Sequence, residues 1–215
     1  MNIFVTSSNP KDSATVLPDK HIVKMPLECC QMLSIVASDK WGHGYGELHR
    51  LDGQPYKTEK GAFRNHPCTK WASESIHNSY WLIKHGLHMC HEYFLRYNKV
   101  HSCYKTLVEA LDIFPKGDLD KVTPFVFAGP DEFKYDNVDI YSKYKMYISS
   151  KPWVSDNYRR IPERKPDWVW NIKKEIFSFT NTPTSYTSLM GMNGVKLFQV
   201  LIWKNLLIYY EFRTI

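Results

Sequence analysis

Two segments near the front of the chain gather groups that move protons and hold charge: Asp19 to Glu28 with Gln31, and Asn65 to Trp71. In the first, His21, Lys24, Glu28 and Gln31 recur at intervals of three, four and three, which a helix stacks on one face. Imidazole, ammonium, carboxylate and amide on one face serve no packing purpose, so the face is expected to line a concave site. The opposite face, with Ile22, Met25, Cys29, Met32 and Leu33, is expected to be core. Glu28 is the central group. A carboxylate flanked by apolar side chains is held charged by Lys24 or has its pKa raised by burial, and either state serves acid/base work. Either also suits an oxocarbenium-like centre formed as a glycosidic bond breaks. Glu28, His21 and Lys24 are the expected catalytic residues, with Gln31 on the substrate.

The second segment supplies a partner wall. His66 precedes Pro67 at an expected helix start, and Lys70, Ser73 and His77 follow at helical spacing with Trp71 and Asn78 alongside. His66, Lys70, Trp71, His77 and Asn78 are expected on the substrate, provided the two polar faces meet in one cleft. The plainer role for His66 is a helix cap. His85, His88 and His91 lie at intervals of three without a placed carboxylate, which suits surface or half-buried imidazoles better than a metal ladder. Cys68, Cys90, His91 and Cys103 fit no common zinc spacing. The five cysteines include adjacent Cys29 and Cys30, with no signal-peptide pattern before them. They are expected as free thiols in a reducing compartment, with no metal or other cofactor required.

Positioning these groups is a task for helices. Asn2 to Thr6 reads as a short strand or an apolar arm, and Asn9 with Pro10 starts a short helix to about residue 17. The site-bearing helix should run from about 19 to 38, kinked near Glu28 by Pro26. Residues 39–65 are rich in glycine and polar groups and read as a long loop, a kind of segment more often functional than idle. A long helical region from 66 to about 97, with a break near Ser75, is followed by helices near 101–113 and 136–149. The stretch between those two is punctuated by Pro115, Gly117, Pro124, Gly129 and Pro130 and should be irregular. The expected fold is all-α, a bundle of crossing helices with a short N-terminal arm. Residues 1–179 form the helical domain and 180–215 an apolar extension docked on it. That tail is too polar for a membrane span.

Charge and aromatic content point to a polyanion. The formal charge is +6, and there are 14 Tyr and 7 Trp, more than a plain core demands. After Trp153 a basic run with Arg159, Arg160, Arg164 and Lys165 is interleaved with Tyr158, Trp168 and Trp170. Cations for phosphates and rings for bases suit a nucleic-acid backbone.

The pattern DKHxVKMxLExxQML, with a later HPCxKW and an EYxxRYxKxH segment from Glu92 to His101, resembles an uncharacterised family of tailed-phage proteins over most of residues 1–170. The run Asp19-Lys20-His21 followed at seven residues by Glu28 is also similar to the catalytic helix of the phage pyrimidine-dimer DNA glycosylases, the endonuclease V family. That resemblance implies an all-helical fold, nucleotide flipping, Glu28 as catalytic carboxylate and His21 beside it. Family members attack the sugar with the amine of a small N-terminal residue freed by methionine removal. Here residue two is Asn2, whose size favours retention of Met1, and the family's arginines around the glutamate are Leu27 and Gln31. Efficient chemistry by the N-terminal amine is therefore not expected while Met1 is retained, phosphate gripping at that spot is expected to be lost, and a modified base, a free nucleotide or RNA becomes an alternative substrate to a dimer in duplex DNA.

The leading expectation is therefore a phage enzyme acting on nucleic acid or a nucleotide in the cytoplasm of an infected bacterium, by glycosidic-bond cleavage or related chemistry at a base. No membrane and no obligatory protein partner are expected. A transferase acting on hydroxymethylated pyrimidines and a non-enzymatic counter-defence protein that binds a host factor or signalling nucleotide are the alternatives.

Overall fold

Asn9 opens the first helix by accepting hydrogen bonds from the main-chain nitrogens of Lys11 and Asp12, with Pro10 supplying the first helical residue. In the computed structural model, which describes residues 1–169, this helix is α1 (Pro10–Thr15). It is followed by α2 (Asp19–Ala37), α3 (Pro67–Glu74), α4 (Ile76–Tyr97), α5 (Tyr104–Ile113) and α6 (Ile140–Ser149), with three short 3-10 turns after residue 118. Among the described residues there is no strand; a single isolated bridge joins His49 and Pro55 in the long loop. The fold is all-α. Residues 2–6 form an irregular arm rather than a strand, and it is buried, with Ile3 and Val5 in the core.

Each helix begins and ends where its local chemistry requires. His66 caps α3 by accepting from the Cys68 nitrogen, and Ser75 caps α4 by accepting from the His77 nitrogen. The extended Ser75, φ −153°, is the break between the two. Asn98 closes α4 in the left-handed conformation that asparagine tolerates. The helix α2 continues through Pro26. Its C-terminal carbonyls are taken up by the following loop: Val36 by the His43 nitrogen and Ala37 by the Gly46 nitrogen. That loop packs so tightly that a Cβ on Gly42 would lie 2.0 Å from the Val36 oxygen.

The core lies where α2 and α1 pack on α4. Ile22, Met25, Cys29, Met32 and Leu33 of α2 are all buried, so the apolar stripe faces inward as its spacing requires. Gly86 lets α4 approach its neighbours, since a Cβ there would meet Leu107 at 2.9 Å and Cys29 at 3.4 Å. Trp71 and Trp81 fill the space beneath α3 with Phe125, edge to face at 5.9 Å from one another. One face of α4 also ties down the arm: the Trp81 indole donates to the Ser8 carbonyl at 2.6 Å, and the His85 ring lies 3.1 Å from the carbonyls of both Ile3 and Pro10.

An ion network fastens the junction of α1, α2 and α4. Arg96 donates to Asp19, to Glu92 and to the Thr15 and Leu17 carbonyls that end α1. Asp19 in turn accepts from the main-chain nitrogens of Arg159 and Arg160, and Arg164 reaches Glu92 at 3.0 Å. Every charge here has an opposite and most lone pairs are filled, the condition under which buried ions are tolerable. Trp170 and the extension at 180–215 lie outside the described residues.

Candidate active site at the N-terminus and Glu28

The buried arm carries the chain's own terminus to the middle of α2. The Asn2 main-chain nitrogen donates to Glu28 Oε2 at 2.7 Å, and the Met1 ammonium lies 3.8 Å from the same oxygen. Lys24, one turn earlier on α2, approaches Oε1 at 3.3 Å from an exposed stem. The carboxylate, itself 8% exposed, is shared between a terminal ammonium, a main-chain N–H and a lysine.

Asn2 is what fixes this geometry. Its Oδ1 accepts from the nitrogens of Ile3 and Phe4, folding the arm back on itself, and its Nδ2 donates to the Ala128 carbonyl at 2.8 Å. The turn leaves Phe4 at φ 43°, a strained conformation for an aromatic residue. Tyr144 of α6 holds the receiving segment, donating to the Val126 carbonyl and accepting from the Ala128 nitrogen. Asn2, Phe4 and Tyr144 carry no motif of their own; the only sequence cue was an apolar arm that had to be buried somewhere.

His66 faces the same charges. Its pKa is lowered by burial and by the N-terminal ammonium, with Glu28 opposing. Because Nδ1 accepts from Cys68, the neutral ring carries its proton on Nε2. The neighbouring Cys68 thiol is pushed up to about 12 by burial and stays protonated.

His21 shares the α2 face with Lys24 and Glu28, yet it is covered. Phe4 stacks on it at 4.2 Å, Trp153 packs edge-on at 5.6 Å, and its Nδ1 is buried without a hydrogen-bond partner. Burial, then Lys151 and Lys24, lower its pKa to about 3, so the ring is neutral. Gln31 is half-buried one turn beyond Glu28.

Other expected site residues lie elsewhere. Lys70 is exposed on α3, one turn past His66. Trp71 is fully buried, its indole donating to the Thr123 carbonyl at 3.4 Å, so it packs in the core. Asn78 is equally buried and braces Trp71 against Thr123. His77 accepts from the Asp118 nitrogen. In the basic run, Arg159 and Arg160 are exposed, Arg160 lying over the Tyr97 ring, whereas Arg164 is paired with Glu92 and Lys165 donates to the Ser155 carbonyl. Among the described residues no cluster of three or more His, Cys, Asp or Glu side chains is arranged to hold a metal ion, and no helix is long and apolar enough to cross a membrane.

The model of the pyrimidine dimer DNA glycosylase family matches residues 1–105, the segment that contains the arm, Glu28, His66 and the helices that hold them. The resemblance read from the helix around Glu28 therefore extends over nearly half of the chain. No curated protein and no solved structure matches it.

Proposed function

We propose that this protein acts on DNA and breaks the glycosidic bond of a nucleotide, with the N-terminal amine as nucleophile and Glu28 as the group that handles its proton. The observation that carries the reading is the seating of the chain terminus against a nearly buried carboxylate, 3.8 Å from the Met1 nitrogen and 2.7 Å from the Asn2 nitrogen. With Met1 retained the amine is that of Met1, 3.8 Å from Glu28; with Met1 removed it is the Asn2 nitrogen, which already contacts the carboxylate. The family match over residues 1–105 supports the substrate class.

In this mechanism Glu28 takes a proton from the ammonium, and the free amine bonds to C1′ as the C1′–base bond breaks. The electron pair leaves on the base, which receives the proton that Glu28 collected. A second amine proton passes to O4′ as the sugar ring opens, leaving a protonated imine that water returns to free amine and an abasic aldehyde. In this reading His66, neutral with a proton on Nε2, donates that proton in a hydrogen bond to the sugar or base. The exposed Arg159 and Arg160 offer cations to the backbone.

Borohydride reduction during reaction with an abasic or ultraviolet-damaged duplex tests the proposal. A covalent adduct mapped to the N-terminal residue is the expected result, and its absence in wild-type protein that still cleaves the bond would reject the amine as nucleophile.

A further inference from the structure

The α2 face that carries Glu28 and Gln31 ends, one turn further on, at the apolar Ile35. Ile35 lines a cleft of about 300 Å³ between the end of α2, α3 and the long loop. On the α3 side the stripe that starts at His66 runs on to Lys70 and Ser73, also in the cleft. Lys70 and Arg64 contribute two cations, and among the described residues of the lining Glu74 is the one carboxylate. Arg64 is pre-set: it donates to the carbonyls of Lys60 and Gly61, and its guanidinium lies 4.4 Å from the centre of the Trp41 ring.

Two lining residues hold polar atoms that are buried without a hydrogen-bond partner: the Thr69 hydroxyl and the Trp41 indole nitrogen. Thr69 is only 2% exposed, and a helical threonine ordinarily returns its hydroxyl to the carbonyl one turn back. Native structures rarely leave such groups unmet, and an absent ligand is one explanation. The C-terminal end of α2 would ordinarily repel an anion. Here the carbonyls of Ile35, Val36 and Ala37 accept from the loop, which blunts that effect.

We infer that this cleft binds a phosphodiester of the same DNA strand whose reacting nucleotide sits at Glu28, with Arg64 and Lys70 as the cations and Thr69 and Trp41 as neutral donors. The assignment rests on the DNA-glycosylase reading above. Seven residues of helix separate Glu28 from Ile35, about 10 Å, so the cleft lies within a few nucleotides of the reacting one along the strand. Guanidinium and ammonium around one anion, with hydroxyl and indole donors, is the chemistry of phosphate rather than of a base edge.

The test is binding of a duplex containing a stable abasic analogue, followed by fluorescence anisotropy across a salt series, with single phosphates replaced in turn by neutral methylphosphonates. For the wild type, one position within a few nucleotides of the analogue should lose about tenfold in affinity when neutralised. The Arg64→Gln/Lys70→Gln double variant, both positions being exposed and thus compatible with folding, should bind about tenfold more weakly. Its salt slope should fall by about one to two, and it should no longer sense that position. Thr69→Val, which keeps the shape, should show a smaller loss at the same phosphate. A double variant with unchanged affinity and slope, or one that loses affinity yet still senses every phosphate as the wild type does, would overturn the inference. Wild-type protein that binds no duplex would instead remove the DNA reading on which it rests.

Discussion

The Asn2 main-chain nitrogen and the Glu28 carboxylate meet at 2.7 Å although 26 residues separate them. The contact joins the chain's terminus to the polar face of α2. It brings the arm into the candidate site.

Glu28→Gln should preserve the fold and abolish turnover. The amide fits the same volume and still accepts from Asn2, but it takes no proton from the ammonium. A loss of 10²-fold or more in single-turnover rate is expected, with a melting temperature close to wild type. Undiminished cleavage would remove Glu28 from the chemistry.

Asn2→Ala removes three side-chain hydrogen bonds that aim the terminus, to Ile3, Phe4 and Ala128. At about 1 kcal/mol for each net bond, the arm should loosen, visible as faster amide exchange at residues 2–5. Borohydride trapping should slow by at least tenfold while the helices stay intact by circular dichroism. Trapping at the wild-type rate would show that the Asn2 turn is dispensable.

Stability should decline in mild acid. Burial lowers the His21 pKa from 6.5 to about 3, so the unfolded chain takes up a proton that the folded one refuses. Its contribution is therefore full above pH 6.5 and is lost progressively as pH falls toward 3. His21→Phe keeps a ring against Phe4, removes the orphaned Nδ1 and should flatten this acid limb in denaturant titrations between pH 7 and 4.5. A limb as steep as wild type would assign the loss to other groups.

Arg96 holds the ends of α1 and α2 to α4, and Arg96→Met leaves Asp19 and Glu92 without their main partner. A cost of about 3–5 kcal/mol is expected, measured by urea unfolding. Arg164→Gln, which leaves Arg96 in place, should cost much less. Equal losses would mean that the outer pair carries the network.

Arg159 and Arg160 are exposed, and neutralising both should reduce DNA affinity and lower the salt slope by about two. Arg164 is already paired with Glu92, so its neutralisation should change stability more than affinity. A salt slope unmoved by the first pair would leave them as surface charges.

Much of this arrangement was legible in the sequence because it is local. Capping residues and prolines fixed where helices begin: Asn9-Pro10, His66-Pro67 and Ser75 did so within a residue or two, since they act on main-chain groups two or three positions away. The spacing of His21, Lys24, Glu28 and Gln31 placed them on one face for the same reason, as 3.6 residues per turn is a property of the backbone alone. Tertiary structure decided which of these groups are used. His21 and Lys24 sit equivalently in the pattern, yet Phe4 and Trp153 seal the first while the second stays in solvent at 3.3 Å from the carboxylate. Trp71 and Asn78 looked like ligand groups, and packing against Trp81, Phe125 and Thr123 made them core. The meeting of the N-terminus with Glu28 depends on His85 gripping the arm and Ala128 receiving Asn2, contacts spanning 82 and 126 residues. No local pattern encodes such contacts, because they form only when the buried arm, α4 and the segment held by Tyr144 are folded around one another.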